Sequence, residues 1–317
     1  MRVMILTAEH PNEAALCHKL KGTCQLVGIV LSRNRTRKRL SHRARLLLNQ
    51  VEGRLLRSPF VATWHQLQDR YHCLYPSVPD VPTIRVHNVN DRETLQLLRQ
   101  VAPHLVLVSG TNLVGQGILE WAAQEKVGII NLHTGLSPYI KGGPNCTNWC
   151  LAERDFHLIG NTVMWLNAGI DSGPIIATEQ TPLRGLETLV ELHWNVMEHA
   201  HDICLRAVQA LSAGRVLPRI AQASIAEGRT FSSLEWNSRA MWTAWWNFKT
   251  CYRPEFFTGT EYQARSSRLM LYPLSMEART SPSGNSHEAP QHRLAGSVER
   301  VAADSLRPDR LDTSRVP

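Results

Sequence analysis

The chain has 317 residues, 43% of them hydrophobic, and a formal net charge of +8. That length allows two domains or one large domain with extensions. No apolar run approaches the roughly 20 residues of a membrane helix, and Val3-Met4-Ile5-Leu6 is too short for the core of a signal peptide, so a cytoplasmic protein is expected. The seven cysteines, odd in number and scattered, suit reduced thiols rather than a disulfide framework. Between Arg33 and Arg57 nine Lys/Arg stand against one acid, Glu52, so this segment carries the whole net excess. A local basic segment is weaker evidence for nucleic acid than a basic domain would be.

Arg2 to Ala8 predicts a buried strand, Pro11 to about Leu20 a helix stopped at Gly22, and Gln25 to Leu31 a second strand. Strand, helix and strand in so short a span make a βαβ unit and predict a parallel sheet. The first turn, Thr7 to Pro11, lacks the Gly-x-Gly-x-x-Gly fingerprint of a dinucleotide site. From Arg33 to Arg57 apolar residues recur every three or four positions, which predicts an amphipathic helix with arginines outward. Trp64 to Tyr71 suggests a short helix, Thr83 to Val86 a third strand, and Asn90 with Glu93 a capping box opening a helix that ends near Gln100. His104 to Val108 is a fourth strand running out into the small polar turn Ser109-Gly110-Thr111-Asn112. Gly117 to Gln124 reads as a helix and Gly128 to His133 as the fifth strand.

Beyond His133 the chain is rich in Gly and Pro up to Pro144, which suits the first position of a helix continuing to about Arg154. Leu158 to Leu166 and Ile175 to Gln180 are two more strands, and Thr188 to Leu211 is a long amphipathic helix stopped by Gly214. Gly228 to Phe231 suggests a turn and a short strand. Trp236, Trp242, Trp245, Trp246 and Phe248 fall in a helix, where such clusters are more often core than ligand platform. From Glu277 onward 41 residues carry no aromatic and no periodicity and read as a disordered tail. The division expected is therefore a catalytic domain over 1–185, a helical extension over 186–276 and a tail over 277–317. The fold class expected is α/β, a doubly wound, mostly parallel sheet with a small C-terminal helical extension.

Asn131 and His133 alternate along the fifth strand and project to one side, with Leu132 turned away. Asp171 lies in Gly169-Ile170-Asp171-Ser172-Gly173, where the backbone must turn tightly. Together the three side chains suit acyl or formyl transfer through a tetrahedral intermediate. An amide can donate to the developing oxyanion, an imidazole can move the amine's proton, and a carboxylate can fix the imidazole. Taken singly, a histidine after a strand or an Asp between glycines is more often structural. Cys146, Cys150 and His157 lack the second pair a zinc site needs, so no metal is expected.

Asn131-Leu132-His133, then Leu136, Pro138 and Gly142, then Gly169-Ile170-Asp171-Ser172-Gly173-Pro174-Ile175-Ile176 resemble the signature of the folate-dependent formyltransferase family. The resemblance covers about residues 1 to 185 and is densest from 100 to 180. It implies a Rossmann-like formyltransferase fold and 10-formyltetrahydrofolate as formyl donor. It also implies the catalytic trio Asn131, His133 and Asp171. By the same resemblance the pterin would be held by backbone at Ser109, Gly110, Thr111, Asn112 and Leu113 and at Asn167, Ala168, Gly169 and Ile170. The reading is a formyltransferase acting on the primary amine of a small, anionic or neutral acceptor: an amino sugar, a nucleotide sugar or an amino-acid-like molecule. The alternatives are a 10-formyltetrahydrofolate hydrolase, or a catalytically silent relative that binds an anionic partner or nucleic acid through its basic helix. The loop His-Thr-Gly-Leu-Ser-Pro departs from the His-x-Ser-Leu-Leu-Pro of the best-known members, and Gly142-Gly143-Pro144-Asn145 is similar to more divergent, often sugar-related ones. The segment after Arg215 does not resemble the tRNA-binding barrel of methionyl-tRNA formyltransferase, which weighs against nucleic acid. Oligomeric state is not indicated.

Overall fold

In the computed structural model, residues 1–34, 58–143, 145–169 and 171–275 are described. The basic segment 35–57 and the tail 277–317 lie outside them. Strands β1 (Arg2–Ala8), β2 (Gln25–Ser32), β3 (Thr83–Val86), β4 (Leu105–Ser109) and β5 (Gly128–His133) form where runs of β-branched residues and leucines can be buried on both sides. β7 (Gly160–Trp165) and β8 (Ile175–Gln180) complete a seven-stranded sheet of order β3-β2-β1-β4-β5-β7-β8. The first five strands are mutually parallel, while β7 runs antiparallel to both β5 and β8. A short β6 (Ile140–Gly142) pairs with β9 (Arg229–Phe231) as a separate ribbon.

Period-two alternation in the strands assigns the two faces of the sheet. Val3, Ile5, Leu105, Leu107, Ile130 and Leu132 pack on one face with α1 (Pro11–Thr23) and α6 (Leu189–Ser212). Met4, Leu6, Val106, Val108 and Ile129 pack on the other with α3 (Arg92–Val101) and α4 (Gln116–Gln124). A third cluster holds α5 (Cys146–Glu153) against α7 (Ser238–Thr250). The order reverses at β1, whose neighbours are β2 and β4; in open sheets of this kind the carboxyl ends at such a reversal line a ligand crevice.

Several elements differ from the sequence reading. The helix α2 (Pro59–Leu74) is twice the expected length, because Ser58 caps it by accepting from the Val61 N–H at 3.4 Å and Pro59 opens it. α3 is capped at Asp91 rather than Asn90. The Asp91 carboxylate turns back to the N–H groups of His87 and Asn88, and Asn90 instead accepts from the Gly115 N–H at 2.6 Å, so both side chains tie loops together. α5 begins at Cys146 with Asn145 as its cap; Pro144 lies outside the described residues. α6 carries the reciprocal Thr188/Glu191 capping box, and its Ala200, Ile203, Cys204 and Ala207 are buried in the sheet's own core. It therefore packs as a layer against the sheet. Trp245 and Phe248 pack, but Trp242 and Trp246 of α7 are exposed, so the cluster is only partly core. Among the described residues after Ser212, the helices are α7, α8 (Pro254–Thr258) and α9 (Thr260–Ser266), with one 3-10 turn, Gln222–Ser224. Among the described residues no helix is long and apolar enough to cross a membrane.

Burial makes two α6 histidines an acid liability. Desolvation pushes His193 down from 6.5 to about 4 and His201 well below its ordinary value. An unfolded histidine takes up a proton below about pH 6.5, whereas the folded chain refuses it, so stability falls as the pH drops from there toward 4. His193 alone is expected to contribute up to about 3 kcal/mol of that loss. Urea unfolding at pH 7 and pH 4.5 should show it, and His193→Leu should flatten the slope.

Candidate active site

β5 is clamped between β4 and β7, so its carboxyl end is a rigid mount. Asn131 and His133 lie opposite Met164 and Thr162 of β7. Asp171 follows β7 in a loop where it adopts φ +44, a left-handed conformation that a short acidic side chain tolerates better than most. The loop is held from within and from without. The Asn167 side-chain oxygen accepts from the Gly169 N–H at 3.1 Å and the Ser172 hydroxyl at 2.9 Å. Gln222 donates through Nε2 to the carbonyls of Asp171 and Gly173, both at 2.8 Å. Gly173 is required by crowding, since a Cβ there would lie 1.7 Å from the Trp165 carbonyl oxygen.

These restraints bring the three side chains together. Asp171 Oδ1 accepts from Asn131 Nδ2 at 3.2 Å, and Asp171 Oδ2 lies 3.4 Å from His133 Nδ1. A carboxylate only accepts, so Nδ1 is the protonated ring nitrogen and Nε2 carries the lone pair. Asn131 spends one amide hydrogen on Asp171 and keeps a second. His133 is 9% exposed, so the pair is largely withdrawn from water. Beyond the ring, Cys146 Sγ lies 3.7 Å from Nε2. Burial, reinforced by the Asp171 charge, pushes that thiol far up and favours its S–H form. Gly135 completes the wall; a Cβ there would come within 2.3 Å of His133 Nε2. Its carbonyl accepts from the Thr162 hydroxyl at 2.8 Å, which fixes the loop to β7.

The two segments assigned to the donor differ in how free they are. In the turn from Ser109 to Leu113, Gly110 has φ +64, and Asn34 occupies both the Gly110 carbonyl and the Asn112 N–H, each at 2.8 Å. The Asn112 side chain bonds Ser32, Val89 and Asn88, and the Thr111 hydroxyl donates to the Asn112 carbonyl. What this turn offers a ligand is thus chiefly the Leu113 side chain, 52% exposed. Asn167, Ala168 and Gly169 are exposed, and Ile170 lies outside the described residues. Val114 beside the turn and Leu166 beside the loop join one apolar cluster with Ile129, so both segments flank the same sheet face. By strand alternation Asn131 and His133 point to that face as well.

Sequence reasoning missed Gln222, which no local pattern marks, and read Cys146 only as a rejected metal ligand. Among the described residues no group of three or more His, Cys, Asp or Glu is placed to hold a metal.

Comparison with known proteins bears on the same residues. The family model described as formyl transferase matches residues 58–208. Methionyl-tRNA formyltransferase of Pelobacter propionicus is 27% identical over 141 residues, 44% of this chain and 43% of that protein. The Akkermansia muciniphila enzyme of the same name is 27% identical over 164 residues, 51% and 50% of the two chains. The chain thus spans about half or less of the length of these curated relatives. Among solved structures, a 4-N formyltransferase from Francisella tularensis aligns with a TM-score of 0.49 at 13% identity, covering 78% of this chain and 87% of that one. Phosphoribosylglycinamide formyltransferase from Anaplasma phagocytophilum gives 0.48 at 16% identity, with 73% and 98% covered. Residues 58–208, which hold β4, β5 and Asn131, His133 and Asp171, are thus the part of the chain that is similar to formyl transferases.

Proposed function

We propose that the protein transfers a formyl group from 10-formyltetrahydrofolate to the primary amine of a small acceptor. The observation that carries this reading is the Asp171 carboxylate lying between the Asn131 amide and the His133 imidazole. In family terms the donor is the formyl-carrying folate, and the exposed Leu113 side chain and Asn167–Gly169 backbone are the groups on this chain that fit it.

On this reading the acceptor nitrogen attacks the formyl carbon, and the carbonyl oxygen becomes an oxyanion. The second Asn131 amide hydrogen stabilises that charge in a site shielded from water. His133 Nε2 takes the proton the amine loses, while Asp171 holds Nδ1–H and stabilises the imidazolium. Collapse breaks the bond from the formyl carbon to N10 of the folate, and His133 returns the proton to N10. One carbon–nitrogen bond forms and one breaks, with no net proton gained or lost. Burial favours the S–H form of Cys146, which supports direct transfer over a route through the thiol.

A screen of amino sugars, nucleotide sugars and amino-acid amines against 10-formyltetrahydrofolate, read by mass, should give a formamide with at least one class. Formate release that no amine alters would replace this reading with hydrolysis. His133→Ala and Asp171→Ala are each expected to lower kcat by about 10² to 10⁴, and Asn131→Ala by about 10² to 10³, with thermal unfolding little changed. Gln222→Ala should free the Asp171 loop and cut kcat by about tenfold or more, because misplacing a catalytic group by even ~1 Å is costly. Circular dichroism and thermal unfolding like those of the parent chain should accompany the loss, which separates a misplaced loop from a lost fold.

A further inference from the structure

Helix α7 presents an outward face that the catalytic reading leaves unused. Trp242 and Trp246, one turn apart, are 41% and 65% exposed, and among the described residues no other Phe, Tyr or Trp is as open to solvent. Arg239, Thr243 and Lys249 are exposed beside them, and the spacing of these five residues places them all on one side of the helix. The opposite side is spent on packing. Met241, Ala244 and Phe248 join the cluster with α5, and the buried Asn247 donates through Nδ2 to the carbonyls of Leu151 at 3.0 Å and Ala152 at 2.9 Å. The indoles are therefore mounted on a fixed support, and a pair of large apolar rings held out together marks a contact surface more often than chance.

The charge of this face has one sign. Arg154, at the end of α5, reaches it by donating through Nε to Asn247 Oδ1 at 2.9 Å, and with Arg239 it edges a shallow depression of about 660 Å³ in which Trp242 and Trp246 lie. The Lys249 ammonium stands 4.7 Å from the centre of the Trp245 ring. Ser238–Thr250 contains no acid, and among the described residues none of the three cations forms an ion pair. The acids flanking Arg154 are turned elsewhere, Glu153 to Arg229 and Asp155 to Arg265, each at 3.3 Å. An apolar pair is thus bordered by positive charge that nothing in the described chain neutralises.

We propose that this face of α7 docks on an anionic lipid bilayer, with the two indoles at the boundary between headgroups and acyl chains and Arg154, Arg239 and Lys249 against the lipid charges. Tryptophan favours that boundary because its ring is apolar and its N–H polar, and basic side chains beside it add electrostatic attraction. Arg239 and Lys249 are roughly 15 Å apart along the helix, so the indoles lie between charges spread out as a plane of headgroups spreads its own. With 13 residues and its far side packed, α7 lies on such a surface and does not span it. A second copy of the chain fits this face poorly, since a two-fold contact centred on it would set cation against cation with no acid to answer them. A single strand of nucleic acid calls for a line of cations following its backbone, whereas these stand at the margins of an apolar pair. The proposal is independent of the formyl-transfer reading.

The test is co-sedimentation of the full chain with vesicles of phosphatidylcholine alone and of phosphatidylcholine and phosphatidylglycerol in equal parts. The mixed vesicles should bind at least about tenfold more tightly, and less so as salt is raised. Trp242→Ala with Trp246→Ala should weaken that binding about tenfold or more, and Arg239→Gln with Lys249→Gln should weaken it about tenfold and flatten the salt dependence, with thermal unfolding unchanged in both. Lipid brominated on its acyl chains should quench tryptophan emission in the parent chain and not in the double tryptophan variant. Equal binding to both vesicles or to neither, or binding that both variants retain, would overturn the proposal. So would binding that is lost only when Arg35→Glu, Arg37→Glu and Arg39→Glu are combined, which would belong to the basic segment. A single-stranded oligonucleotide bound more tightly than the mixed vesicles and lost in the same variants would make the partner nucleic acid, and a concentration-dependent dimer abolished by the tryptophan substitutions would make it a second copy; either result also overturns the bilayer.

Discussion

The Asp171 carboxylate is the constraint on which the site depends, because its two oxygens address two different partners at once. One accepts from the Asn131 amide and the other faces the His133 ring, so a single side chain orients both neighbours. That arrangement needs a left-handed backbone at Asp171, which costs free energy and persists only where neighbours over-determine it. Asn167 and Ser172 close the loop on itself, Gly173 lets it pass under the Trp165 carbonyl, and Gln222 fastens it to the C-terminal part of the chain. The residues after Ser212 therefore shape the site through backbone carbonyls rather than by touching the trio.

The sheet supplies the second half of the arrangement. Strand alternation sends Asn131 and His133 to one face and Leu132 to the other, and the helices that cover those faces differ. On one side the exposed Leu113 and the 167–169 loop flank the trio; on the other, α1, α2 and α6 enclose a chamber with a buried carboxyl. The reversal of strand order at β1 opens that chamber, so topology and chemistry meet at the same edge.

Much of this was legible in the residues. Uninterrupted apolar runs marked β1, β4 and β5 within a residue or two, because buried parallel strands carry their signal locally. The approach of Asn131, His133 and Asp171 could be anticipated from motif resemblance, whereas their distances could not. Gln222 was invisible, since a lone glutamine outside any periodic segment gains its meaning only from a loop 51 residues earlier. Asn90 and Asp91 both suit a helix cap, and the choice between them was made by the Gly115 N–H of a distant loop. The partner of α6 was hidden for a similar reason: amphipathic periodicity shows that the helix has an apolar face, not that the face meets the main sheet.

The central claim is that the formyl group passes directly between two amines under the control of Asp171 and His133, with no enzyme-bound formyl intermediate. A single-turnover experiment with donor carrying a ¹³C-labelled formyl group tests it most directly, with label followed by NMR in the small molecules and by intact mass on the protein. The account predicts label moving from folate to formamide at one rate, with none on the chain and with the rate collapsing in His133→Ala. Label accumulating on Cys146, or appearing only as formate whichever amine is present, would contradict it.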